Sequence, residues 1–139
     1  MSRVASLVIT FWAGSLWTVC GVVAPTLFTV LEDRQMAGRL AATFFRAETI
    51  IGVVAGAVLV GLGLAGKLSL AGRLGKILIA VTAAAPLLSQ VVLGPFMERA
   101  RAAGDMARFG MLHGAAALLF LIACFSALLL VWRLHRPAE

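Results

Sequence analysis

Seven polar side chains stand inside or beside the long apolar runs of this chain. Arg39, Arg46 and Glu48 precede one long hydrophobic run, Gln90 lies inside another, Glu98 closes it, and Arg108 and His113 open the last. An imidazole and a carboxylate on neighbouring helices can pass a proton between them. Guanidinium groups grip phosphate or carboxylate with two parallel hydrogen bonds, which suits a lipid head group or a small anion. His113 is also the best metal ligand the sequence offers. With Met97, Met106 and Met111 nearby it suits copper(I), and alone it suits a single axial position on haem. A structural zinc site would need four ligands, mainly Cys and His, and this region supplies one. The plainer alternative is a histidine bonded to a backbone carbonyl or a Ser/Thr hydroxyl, ringed by arginines that reach toward water. No phosphate loop, nucleophile motif or ion-selectivity signature is present, so no residue is assigned a catalytic role and a non-enzymatic protein is expected. Cys20 and Cys124 fall deep within apolar runs. Buried cysteine usually packs as a small apolar residue, with a soft-metal pair or a disulfide as the alternatives.

The elements that must hold these groups are membrane spans. Of 139 residues, 62% are hydrophobic and only 13% charged, whereas soluble domains are about half apolar and a quarter charged. Four intervals lack Asp, Glu, Lys and Arg: Arg3 to Glu32, Glu48 to Lys67, Lys76 to Glu98 and Arg108 to Arg133. Each is long enough to cross a hydrocarbon core of about 30 Å. The expected fold is therefore all-α, a single domain over 1–139. It is a four-helix transmembrane bundle running up-down-up-down, with spans at about 4–31, 36–66, 70–101 and 106–134. The first run is too long for a signal h-region and reads as a retained span. Helix-forming residues from Met36 to Glu48 run straight into the second span, and Glu98 to Arg101 prolong the third. Both helices are expected to project beyond the bilayer on the non-cytoplasmic side, while Gly66-Lys67-Leu68-Ser69 makes a short hairpin at the opposite end.

The net charge of +6 implies contact with anionic lipid rather than nucleic acid, because the basic residues cluster at span ends. Arg3, Lys67, Arg73, Lys76, Arg133 and Arg136 share one side with only Glu139 against them. The opposite six bases are interspersed with acids. Both termini are accordingly expected in the cytoplasm of a bacterial inner membrane. Val22-Val23-Ala24-Pro25 and Met36-Ala37 are echoed seventy residues on by Val92-Leu93-Gly94-Pro95 and Met106-Ala107, a possible parallel repeat.

Small residues mark contact faces between spans. Gly52 and Gly56 on the second span and Gly110 and Gly114 on the fourth have GxxxG spacing. Gly14, Thr18, Gly21 and Pro25 form a stripe on the first, and Ala83, Pro86, Gln90 and Gly94 one on the third. Placed on these faces, Glu48, His113 and Gln90 should converge at the charged end. There they would line a polar pocket rimmed by Arg39, Arg46, Glu98 and Arg108.

The segments FWAGSLWTVCGVVAPTLF (Phe11 to Phe28), MAGRLAATFFR (Met36 to Arg46) and RFGMLHG (Arg108 to Gly114) resemble the transmembrane protein 205-like family. That resemblance implies a small four-helix integral membrane protein and no established activity. Where the family often continues with small polar residues, Ala115-Ala116-Ala117 follow here. More distantly, the layout is similar to the copper-resistance D-type superfamily, which implies copper or haem as a cofactor. Three roles follow as expectations: a binder of a small ligand, lipid head group or ion; an accessory subunit meeting a membrane-protein partner or a second copy; or a haem- or copper-linked protein.

Overall fold

The chain is described here by a computed structural model covering residues 3–66 and 72–134; Lys67, Ser69, His135, Arg136 and Glu139 lie outside the described residues. Helix α1 (Arg3–Thr18) passes into a π-helical turn (Val19–Val23) and continues as α2 (Ala24–Val30). After a three-residue break comes α3 (Arg34–Leu64). Helix α4 (Gly72–Leu88), a second π turn (Ser89–Leu93) and α5 (Gly94–Ala102) repeat the first arrangement, and α6 (Met106–Leu134) completes the chain. Four rods of 28, 31, 30 and 29 residues result, each long and apolar enough to cross a membrane.

The local chemistry of the ends explains where the rods stop. Asp33 caps α3 by accepting from the Gln35 and Met36 N–H groups at 2.8 and 3.1 Å, as short acidic side chains do at exposed helix N-termini. Asp105 caps α6 in the same way, accepting from Arg108 N–H at 3.0 Å. Gly104 closes α5 at φ +71°, with Asp105 N–H reaching back to the Ala100 carbonyl at 2.9 Å. That left-handed turn is open to glycine at little steric cost.

Each π turn sits immediately ahead of an X-Pro pair, Ala24-Pro25 or Gly94-Pro95. Proline lacks an N–H and its ring crowds the carbonyl four residues back. The widened turn relieves this, with Ala24 N–H bonding to the Val19 carbonyl and Gly94 N–H to that of Ser89, five residues back. The two π turns are offset by seventy positions and the two aspartate caps by seventy-two. Inside each half, α1 packs on α3 and α4 on α6; between halves, α3 packs on α4 and α1 on α6. The order helix, π turn, helix, cap, helix thus occurs twice along the chain.

The core runs down the bundle axis and is built from Ile9, Trp12, Leu16, Leu59, Phe120, Ala123, Cys124, Ala127 and Leu130, among others. Most of each rod's apolar surface faces outward, as a lipid-facing exterior requires.

Candidate functional site

The expected meeting of Glu48 with His113 does not form. Glu48 is 2% exposed and faces the bundle interior. His113 lies on the exposed side of α6, its ring stacked on Phe109 at 5.9 Å. Arg39, Arg46, Glu98 and Arg108 are likewise exposed, and Gln90 is half-buried. The reason is the choice of inward face. Gly110 and Gly114 have open space where a Cβ would stand. The contact face of α6 is instead Ala116, Phe120, Ala123, Ala127 and Leu130. On the first rod Ala5, Ile9, Trp12, Leu16 and Val19 turn inward. That leaves Gly14, Gly21 and Pro25 exposed, with only the Trp17 ring near Gly21 at 4.0 Å. Large side chains interlocking with alanines won over close glycine contact at these positions.

Gly52 and Gly56 do face inward. A Cβ on Gly56 would stand 3.3 Å from that of Ala83, and one on Gly52 would stand 3.3 Å from the Trp12 indole nitrogen. Gly52 thereby makes room for an indole inside the bundle, one helical turn beyond Glu48.

Around that indole lies a polar cluster. Ser15 Oγ is 2.9 Å from Glu48 Oε1 and 3.0 Å from the Trp12 carbonyl. Trp12 is 1% exposed, and among the described residues its Nε1–H has no hydrogen-bond partner. On the far side, Trp17 Nε1–H donates to the Cys124 carbonyl at 3.0 Å, and its ring meets Phe125 edge-on at 5.6 Å. Cys20 and Cys124 are free thiols close enough to interact with each other, and Glu48 lies close enough to act electrostatically on both. The cluster sits midway along the bundle. Phe45, three residues before Glu48, packs on Phe120 at 4.6 Å, near the centre of the charge-free stretch between Arg108 and Arg133.

Other buried hydroxyls need no such company. Thr49 and Thr82 donate to the carbonyls four residues earlier in their own helices, at 2.9 and 2.7 Å. This local bond satisfies them. A carboxyl cannot satisfy itself this way, and Glu48 has only Ser15 as a hydrogen-bond partner among the described residues. Among the described residues no three His, Cys, Asp or Glu side chains converge as a metal-binding group.

Sequence reasoning missed Trp12, Ser15 and Trp17, whereas a pairing of the two cysteines was among the alternatives open for them. A usable signal existed: Ile9, Trp12, Leu16 and Val19 recur at helical spacing, which puts Trp12 inside and Ser15 at the edge of the same face.

The fold defines a small multi-span membrane protein of four long helices. Over residues 7–106 the chain matches the family described as "Domain of unknown function (DUF4149)", and it belongs to that family. No curated protein and no solved structure gives a significant match. The matched stretch includes Trp12, Ser15, Cys20 and Glu48 and stops as α6 begins.

Proposed function

We infer that this chain is an intramembrane binding protein whose site is the Glu48 cluster and whose ligand is a proton or a small cation. The observation that carries this is the hydrogen-bond stoichiometry at Ser15. A hydroxyl has one proton to give, yet two acceptors lie within reach of Ser15 Oγ. A proton on Glu48 resolves the surplus: the carboxyl donates to Ser15, and Ser15 donates to the Trp12 carbonyl. A buried carboxylate without a positive partner is costly in any apolar interior, and an ionisable group inside a span marks a site or pathway more often than a packing contact. The orphaned Trp12 N–H supplies the donor that a bound water or an ionised carboxyl would use.

The soft-metal reading keeps one supporting observation, the contact between Cys20 and Cys124. Two thiols suit a soft ion such as copper(I), whereas His113 stands apart on the outer surface. The likeness to the transmembrane protein 205-like family adds no activity. Termini in the cytoplasm of a bacterial inner membrane complete the proposal, supported by the scarcity of acids among the bases at that end.

Dicyclohexylcarbodiimide, an apolar reagent that couples to protonated carboxyls, tests the reading. Mass mapping should find the adduct at Glu48, absent in Glu48→Gln and suppressed when a competing cation occupies the site. Labelling confined to surface carboxyls such as Glu32 and Glu98 would refute it.

A further inference from the structure

The hairpin between α5 and α6 holds a second feature. A cavity of about 280 Å³ opens there, lined by Phe96, Arg99, Ala100, Ala103, Asp105 and Arg108. The Arg99 guanidinium is held over the Phe96 ring at 5.8 Å from its centroid. Asp105 accepts from the Arg108 backbone N–H at 3.0 Å, so its carboxylate is engaged in capping α6. Among the described residues neither arginine side chain forms an ion pair. Two cations against one carboxylate leave a single positive charge facing the cavity.

The repeated order of elements provides an internal control. Asp33 caps α3 as Asp105 caps α6, and Met36 N–H bonds to Asp33 as Arg108 N–H bonds to Asp105. At the seventy-residue offset of the π turns, Thr26 and Thr29 stand where the second half has Phe96 and Arg99; at the seventy-two-residue offset of the aspartate caps, Met36 stands where it has Arg108. The scaffold therefore closes without this charge, and the arginines are an addition to it.

We propose that the α5–α6 cavity binds the phosphodiester of an anionic phospholipid, with Arg99 and Arg108 as the gripping residues. One phosphodiester matches the single excess charge, and guanidinium forks match its oxygens. A lipid is favoured over free phosphate because the Phe96 wall continues into exposed apolar Val92, one turn down the third rod, where an acyl chain would lie.

Native mass spectrometry of the purified protein, offered phosphatidylglycerol, phosphatidylcholine or inorganic phosphate, tests this. Phosphatidylglycerol should be retained in preference to phosphatidylcholine. The pair Arg99→Thr and Arg108→Met copies residues the first hairpin already carries, and it should lower that retention about tenfold. Asp105→Asn keeps a capping side chain and should raise it. Equal retention of the two lipids, or no effect of the arginine pair, would overturn the proposal. Displacement of phosphatidylglycerol by equimolar inorganic phosphate would also overturn it, by making the source a free anion.

Discussion

Ser15 and Glu48 meet at 2.9 Å between the first and second rods, thirty-three positions apart in sequence. They join two helices of one hairpin by a polar bond inside an otherwise apolar bundle. The strength of such a bond depends on both partners being present, because a buried polar group left alone is more costly than one never placed there.

Glu48→Gln preserves shape and a hydrogen bond to Ser15 while removing the ionisable group. Unfolding by SDS titration should show stability equal to or above that of the parent. Glu48→Ala leaves both a void and an abandoned hydroxyl, and it should cost about 2–3 kcal/mol.

Ser15→Ala removes the only hydrogen-bond partner of Glu48 among the described residues. A loss of about 1 kcal/mol is expected in the same titration. Combining it with Glu48→Gln in a double-mutant cycle should give a nonzero coupling energy.

Gly52→Ala forces a methyl group to 3.3 Å from the Trp12 indole nitrogen, and overpacking of this kind costs roughly 1–3 kcal/mol. Gly114→Ala meets open space and gains helix propensity, so its stability should hold or rise. Thermal unfolding of the two variants in one detergent separates them.

Thiol labelling reads the interior directly. Cys20 is half-buried and Cys124 fully buried. A maleimide should modify Cys20 first, and Cys124 only after denaturation.

His113→Ala removes little beyond the stack on Phe109. Its stability should stay within about 0.5 kcal/mol of the parent, and carbodiimide labelling at Glu48 should be unchanged.

Much of the architecture was legible from charge-free intervals alone, because hydrocarbon thickness dictates span length regardless of packing detail. The seventy-residue echo of Val-Val-Ala-Pro was visible as well. Its meaning became plain only when both proline pairs proved to follow a π turn. The site was less legible for a physical reason. GxxxG spacing says that two helices can approach closely, but not that they do. Gly110 and Gly114 carry the pattern on the outside of α6, whereas the alanines of the same helix make the contact. Proximity to Gly114 points His113 inward, yet both residues lie on the exposed side of α6. Proximity to Gly52 points Glu48 inward, and there an indole from the first rod fills the space.

The most direct test of a proton- or cation-holding Glu48 is the infrared difference spectrum between the parent and Glu48→Gln, recorded in bilayers. The account predicts a single carboxyl band that shifts in Ser15→Ala and changes on proton or cation exchange. A band typical of a freely hydrated carboxylate, indifferent to Ser15→Ala, would contradict it.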